Sequence, residues 1–432
     1  MLSLLGGRNG YCDGISRRSL LRIGALGIGG LTLADLLRLE AHAGNSATRR
    51  SVINIYLGGG PTHMDTFDLK PDAPKEYRGE FMPITTEVPG FEFCELLPRM
   101  ASHTDKMALV RSIVGMSNEH RGNQSDSGWS FRSLQTMGGR PGLGPVMSRL
   151  FGPACQTSEG VAPTAMDLTG WTRPGFLGQV HAAFRPDGTG RRNLTLDSRM
   201  PAERFIERHD LLGSLDRLRR DIDGENMMTA MDSFAERAVG IITSGRIAEA
   251  LDVKQETPET IARYGAKNRD NERFLLARRL IEAGVRSVSL SWGGWDTHRN
   301  NFGAMRKLLP RLDQAMSALI EDLDRSGRLE DTLILMSGEF GRTPRINRGA
   351  GRDHWPRAAF FFLAGGGLKT GQVIGATDRK GEQAADRPVH LQQVFATVYH
   401  QLGIDVERTQ LIDPNGRPQY LLDHRQVIEE LV

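Results

Sequence analysis

Cysteine is scarce in this chain, with three residues among 432. Cys12 lies in an N-terminal segment that we expect to be removed, which leaves Cys94 and Cys155. These two cysteines could form one disulfide or stay free, and the sequence leaves both states open. A fold held together mainly by disulfides is excluded.

The sequence also lacks a strong charge bias and has few aromatic residues. Its formal net charge is +3, and aromatic residues make up 6% of it. The basic residues are spread along the chain without a basic block, so we expect no nucleic-acid partner. The part after residue 43 has no dinucleotide-binding glycine fingerprint, which argues against a cofactor-dependent oxidoreductase.

The apolar stretch near the N-terminus is short. It covers residues 23–33 and is followed by Asp35 and Arg38, whereas a membrane-spanning helix needs about 20 predominantly apolar residues. We therefore expect no stable membrane span. The stretch follows the pair Arg17 and Arg18 and precedes the small-x-small pattern at residues 41–43, an order that is typical of a signal peptide.

Residues 1–43 are therefore predicted to be a signal peptide that is cleaved after Ala43. The arginine pair resembles the twin-arginine type, which indicates the twin-arginine export machinery as a partner and a periplasmic or secreted protein. A flexible basic N-terminus is the alternative interpretation.

Strand and helix patterns alternate over residues 44–432, which we interpret as one domain. Residues 184–271 differ, because they are rich in charge and in helical spacing, and we predict a helical insertion or cap there. Apolar strands separated by helices predict an α/β fold with a mostly parallel sheet that helices cover on both faces. The predicted strands are residues 51–57, 107–114, 285–292, 332–337 and 358–363, and the predicted helices are residues 125–134, 302–323 and 391–402.

Carboxylates and imidazoles follow several of these strands. Because ligands of such sheets gather at the carboxyl ends of the strands, we expect these side chains to share one site. They form the ligand set of zinc-like or manganese-like divalent ions. For each pair alone, a turn-capping Asp beside a surface His is the alternative. The candidate metal ligands are His63, Asp65, Asp296, His298, Glu339, Asp353 and His354.

Arginines and hydroxyl groups supply candidates for the rest of an active site. Arg342 and Arg352 lie in the same loops and could clamp an anionic oxygen, with solvent exposure as the alternative. In residues 119–129, a hydroxyl at a helix N-terminus could act as a nucleophile, because free N–H groups stabilise an oxyanion there. A simple N-cap at Ser125 or Asp126 is the alternative.

The strand-end strings resemble the alkaline phosphatase and sulfatase superfamily, and in particular a branch of unknown function that is commonly exported by the twin-arginine route. The strings that carry the resemblance are GGGPTHMDTFD at residues 58–68, WDTH at 295–298, GEFGRTP at 338–344, GRDHWP at 351–356 and GRP at 416–418. The resemblance implies an alkaline-phosphatase-like fold that holds one or two divalent ions, Zn, Mn or Ca.

The resemblance also implies roles for single residues. Asp126-Ser127 is similar to the pair that carries the phosphatase nucleophile, which makes Ser127 the implied nucleophile. Asp296, His298 and His354 are similar to one metal site of the superfamily. Glu339-Phe340 stands where the superfamily has an Asp-His pair, and residues 58–60 are glycines where it has a first-strand Asp, so His63 or Asp65 would substitute.

The function that the resemblance implies is metal-dependent hydrolysis of phosphate or sulfate esters, with an anionic ester as substrate. Neither cysteine lies in the string that sulfatases oxidise, so formylglycine chemistry is not expected. The alternative is a non-catalytic member of the superfamily that binds an anionic glycan or assembles an exported complex.

Overall fold

The computed structural model of the protein describes residues 50–157, 160–187 and 245–432, together with isolated positions between 194 and 242. The predicted signal peptide and most of the predicted helical insertion lie outside the described residues. The described end of that insertion is helical, and its residues Ile247 and Tyr264 are buried in the core.

A mixed sheet forms the centre of the described chain. Its seven strands are β1 (Ser51–Leu57), β2 (Met107–Val110), β3 (Ala165–Asp167), β4 (Ser287–Trp292), β5 (Thr332–Ser337), β6 (Phe361–Gly365) and β7 (Gln372–Ile374). They lie side by side in the order β7-β2-β6-β5-β1-β4-β3. Strand β1 is parallel to both β4 and β5, and β3 and β7 are parallel to their neighbours. Only β6 among these seven strands runs antiparallel to its neighbours β5 and β2.

Strands β1 and β5 have the bounds that their apolar runs predict. The predicted strand at residues 107–114 divides, because residues 107–110 join the sheet and Ile113–Val114 pairs with Val389–His390 instead. The antiparallel direction of β6 was not predicted, since the short apolar run at residues 358–363 is compatible with either direction.

The described helices are, in chain order, α1 (Lys75–Arg78), α2 (Pro98–Ala101), α3 (Asn123–Ser127), α4 (Leu143–Phe151), α5 (Arg246–Ala250), α6 (Pro258–Tyr264), α7 (Arg269–Glu282), α8 (Asn301–Arg325) and α9 (Leu391–Gln401). The predicted helix at residues 125–134 was wrong, since α3 ends at Ser127. Gly128 follows it with a φ of 74° and donates to the carbonyl of Gln124, which terminates the helix.

Alternating side chains of each strand enter two separate cores, because successive side chains of a strand point to opposite faces of a sheet. Ile53, Ile55 and Leu57 of β1 pack on one face with residues of α7 and α8. Val52 of β1 packs on the other face with residues of α4 and α9. The mixed sheet therefore has helices on both faces.

Short ladders arrange the loops around this sheet. The ladder of Gly341–Arg342 with His354–Trp355 places Arg342 opposite His354, beyond the end of β5. The other two-stranded ladders join Pro83–Ile84 with Phe93–Cys94, Ala154–Thr157 with Gly160–Pro163, Ala376–Thr377 with Ala384–Asp386, and Gln410–Ile412 with Pro418–Tyr420. Within the described residues, we find no helix of the length and apolarity that crossing a membrane requires.

Candidate metal centre

Four side chains that can bind a metal converge beyond the ends of β4 and β5. The potential ligand atoms of His120, Asp296, His298 and His354 all lie within 4.8 Å of one another. His298 Nε2 lies 3.0 Å from His354 Nε2 and 3.1 Å from Asp296 Oδ1. Asp296 Oδ1 lies 3.6 Å from His354 Nε2 and 3.8 Å from His120 Nε2. A tetrahedral ion at 2.0–2.1 Å from its ligands separates them by about 3.4 Å, so these distances fit one such ion.

Each histidine of the cluster turns the same ring nitrogen inward. The Nδ1 atom of His120 lies 2.9 Å from Glu339 Oε1, that of His298 lies 2.7 Å from Asp353 Oδ1, and that of His354 lies 2.8 Å from the Asn118 side-chain oxygen. An acceptor at Nδ1 places the ring hydrogen there and leaves the Nε2 lone pair free for a metal. Glu339 and Asp353 therefore contact histidines in the way that outer partners of a metal site do.

The residues around Glu339 hold His120 and His354 in place. The Glu339 carboxylate is buried and accepts from the backbone N–H of Gly59 at 3.0 and 3.2 Å. The ring of Phe340 packs against the imidazoles of both His120 and His354. Gly60 has a φ of 73°, and a Cβ there would lie 2.6 Å from the Phe340 ring, so this close approach requires glycine.

Arg342 orients Asp296. Its guanidinium is fully buried, and its Nη2 atom donates to Asp296 Oδ1 at 2.5 Å. Its other N–H groups donate to the carbonyls of Gly59, Gly60 and Arg352. Partial burial of Asp296 would raise the pKa of its carboxyl, but the hydrogen bond and charge of Arg342 hold that pKa below its usual range. Arg342 therefore keeps Asp296 ionised. Its guanidinium does not face solvent, where the predicted anion clamp would have to lie.

Arg352 and Asp65 form a buried ion pair. Arg352 Nε lies 2.6 Å from Asp65 Oδ2, and its Nη2 lies 3.0 Å from Asp65 Oδ1. The carbonyls of Tyr77, Thr343 and Pro344 accept its remaining hydrogen bonds, so all five N–H groups of this guanidinium have partners. Asp65 also accepts from the side chains of Thr62 and Asn301. These contacts leave neither residue available for the ligand and anion-clamp roles predicted from the sequence.

His63 and Ser127 lie outside the cluster of four. His63 is fully buried, its Nε2 contacts the carbonyl of Gly381 at 2.9 Å, and its Nδ1 has no partner among the described residues. Burial lowers the pKa of His63, which keeps the ring neutral. The Ser127 hydroxyl donates to the carbonyl of Asn123 at 2.8 Å, within its own helix, and accepts from the Trp129 N–H.

His120 belongs to the cluster of four but was not among the ligands predicted from the sequence. It lies in the segment from which we expected a nucleophile, and the nearest strand before it is the two-residue Ile113–Val114. A signal was nevertheless present, because His120 lies between charged residues in a glycine-flanked loop like the other candidates. Of the predicted ligands, the structure brings together Asp296, His298 and His354 directly, with Glu339 and Asp353 behind them.

Comparison with known proteins gives the family of the chain. Residues 49–432 match the family model described as "Protein of unknown function (DUF1501)", and the chain belongs to this family. No curated protein matches the sequence.

Among solved structures, the PsFucS1 sulfatase from Pseudoalteromonas sp. has 11% identity and a TM-score of 0.41, over 87% of this chain and 72% of that one. The lipoteichoic acid synthase LtaP from Listeria monocytogenes has 12% identity and a TM-score of 0.35, over 83% of this chain and 73% of that one. TM-scores of this size support no conclusion about the activity or substrate of the chain.

Proposed function

We propose that this DUF1501 protein is a metal-dependent hydrolase of phosphate or sulfate esters that holds one divalent ion on His120, Asp296, His298 and His354. The observation that carries the proposal is the common orientation of the three imidazoles, whose Nε2 atoms face Asp296 while their Nδ1 atoms contact outer acceptors. We further propose, from residues 1–43, that the protein acts after export by the twin-arginine route.

The chemistry of the ligands narrows the choice of ion. Three imidazoles and one carboxylate suit Zn²⁺ or Mn²⁺ better than Ca²⁺, which takes oxygen ligands. Because Glu339 and Asp353 contact ring nitrogens rather than the centre of the cluster, the described residues support one ion rather than two.

The position of the cluster favours a catalytic centre over a purely structural one. The side chains of His120 and Asp296 are 44% and 49% exposed, so a substrate can reach the ion. When bound, a divalent ion would polarise an ester oxygen and favour attack by water. Arg342 would hold Asp296 ionised and in place during this reaction.

The hydroxyl of Ser127 is a poor candidate for the nucleophile, because it is buried and bonded within its own helix. We therefore propose a water molecule as the nucleophile. The class of substrate rests on the resemblance of the strand-end strings to the alkaline phosphatase and sulfatase superfamily, whose fold we propose for the chain.

The engaged hydroxyl of Ser127 also favours a second candidate function. With no activated side-chain nucleophile in the cluster of four, the chain could bind an anionic glycan through its metal without hydrolysing an ester. The two functions share the metal site and differ in turnover.

The experiment combines metal analysis with hydrolysis assays. The purified protein is expected to retain about one equivalent of Zn or Mn and to hydrolyse p-nitrophenyl phosphate or p-nitrophenyl sulfate. His298→Ala should abolish both properties, whereas the control His103→Ala, whose ring contacts Glu321, should keep both. A protein that binds no divalent ion would refute the proposal, and metal binding without turnover of either ester would favour the binding function.

A further inference from the structure

A cleft opens beside His298, one of the four side chains of the candidate metal centre. It has a volume of about 670 Å³ and is lined by His298, Arg299, Asn347, Arg348, Gly349 and Asp353. His298 belongs to the cluster, and Asp353 is its Nδ1 partner, so the cleft borders the outer side of the His298 ring. Only a substrate long enough to pass His298 would reach both the metal and this cleft.

Two arginines, Arg299 and Arg348, line the cleft. Arg299 and Arg348 are both exposed, and in the described part of the chain neither guanidinium forms a hydrogen bond or an ion pair. They differ in this from the buried Arg342 and Arg352, whose N–H groups are directed at protein acceptors. The one carboxylate of the lining, Asp353, already contacts His298 and the Asn347 amide.

Backbone hydrogen bonds join the two loops that carry these arginines. The N–H groups of Asn300 and Asn301 donate to the carbonyls of Gly349 and Ala350, at 2.9 and 2.8 Å, and so join the two loops. Asn300 and Ala350 have φ values of 49° and 52°, in the left-handed region that non-glycine residues rarely adopt. Such strain persists where the surrounding contacts impose it, and it clusters at binding sites.

From this geometry we infer that Arg299 and Arg348 form an anion-binding subsite for a second anionic group of the substrate. The inference rests on the proposed function and narrows its substrate class to polyanionic esters, which carry a further sulfate, phosphate or carboxylate beside the reacting one. Free guanidinium groups bind such oxyanions bidentately, and fixing their loops in advance reduces the entropy lost on binding.

The test measures binding of sucrose octasulfate to the zinc-loaded full chain by calorimetry at constant ionic strength, with neutral sucrose as the blank. The double variant Arg299→Ala/Arg348→Ala should weaken binding by about tenfold or more, since hydrogen bonds to charged groups contribute strongly. The variant Arg299→Lys/Arg348→Lys keeps both charges but loses the planar guanidinium, which can donate two parallel hydrogen bonds to one oxyanion. Its affinity for sucrose octasulfate should therefore lie between those of the wild type and the alanine variant.

A matched control removes the same charge elsewhere. Lys254 and Lys267 are exposed and lie outside the cleft lining, so Lys254→Ala/Lys267→Ala should change the affinity less than twofold. The inference is overturned if the arginine variant binds like the wild type, or if the lysine variant loses as much affinity. Failure of the proposed function is distinguishable, because the same titrations are repeated on the chain without added zinc. A chain that binds no zinc but still loses its sucrose octasulfate affinity in the arginine variant would refute the proposed function and leave the anion subsite.

Discussion

His298 Nε2 and His354 Nε2 face each other at 3.0 Å, although 56 residues separate them in the chain. The Nδ1 atoms of both rings contact acceptors, Asp353 and Asn118, and so hold the ring hydrogens on the outer side. Two lone pairs at this distance repel each other unless a cation or a proton lies between them. Asp296 Oδ1, 3.1 Å from His298 Nε2, adds a negative charge to the same point.

The first prediction concerns His120, the member of the cluster that the sequence did not indicate. We expect His120→Ala to weaken zinc binding by more than about 100-fold, because removing one of four converging donors should cost more than removing an outer partner, which costs about 10- to 100-fold. The measurement is a competition titration with a chromophoric chelator, and His103→Ala is the control. Unchanged zinc affinity in the His120 variant would show that this histidine is not a ligand.

The second prediction separates an outer partner from a ligand at Asp353. Asp353→Ala should weaken zinc binding by about 10- to 100-fold without abolishing it, which is the usual effect of losing the partner of a ligating histidine. Stability should fall by at most about 1 kcal/mol, because the side chain is 54% exposed and exposed ion pairs contribute little. Asp324→Ala, another exposed carboxylate, is the control. Complete loss of zinc in the folded variant would instead identify Asp353 as a ligand.

The third prediction tests the role of Asp65. Asp65→Asn leaves the buried Arg352 guanidinium without its counterion, so we expect the free energy of unfolding to fall by about 3–5 kcal/mol. The zinc affinity of the folded variant should be unchanged. Urea denaturation measures the first quantity and chelator competition the second.

A matched control for Asp65 is Glu80→Gln, which removes an exposed ion pair with Arg306 and should cost at most about 1 kcal/mol. If Asp65→Asn instead left stability intact and abolished zinc binding, Asp65 would be a metal ligand, as the sequence suggested.

The fourth prediction is a pH dependence at His390. Its Nδ1 accepts from the N–H of Gln392 and caps α9, and burial together with the neighbouring charge of His424 lowers the pKa of His390 to about 4. Because this folded-state pKa lies below the unfolded value of about 6.5, its stabilising contribution is complete above pH 6.5 and falls as the pH drops toward 4.

His390→Asn keeps a capping side chain that does not titrate, so it should remove this part of the pH dependence. The measurement is the free energy of unfolding of both proteins in urea between pH 4 and pH 7. A difference between wild type and variant that stays constant over this range would contradict the prediction.

The fifth prediction concerns Ser127. Because its hydroxyl is bonded to Asn123 within the same helix, Ser127→Ala should keep zinc binding and change ester hydrolysis by less than about threefold. Single-turnover assays with p-nitrophenyl phosphate and p-nitrophenyl sulfate measure this. Loss of turnover by orders of magnitude, with zinc retained, would restore Ser127 as the nucleophile.

Much of the fold could be predicted, because strands and helices leave local patterns of apolar residues in the sequence. The apolar runs of β1 and β5 gave the bounds of both strands, and helical spacing located α8 and α9 to within a few residues. The direction of β6 could not be predicted in this way, since it depends on the path of the chain between β5 and β6.

At the site, the sequence by itself determined which residue types would gather at the strand ends, and it identified three of the four converging side chains, Asp296, His298 and His354. Only the tertiary structure decided which groups face the centre. His120 meets Glu339 across 219 residues, and Asp65 meets Arg352 across 287. Carboxylates and imidazoles suit a metal, an ion pair or a hydrogen bond equally well, so their roles depend on which partner the packing of distant loops brings within reach.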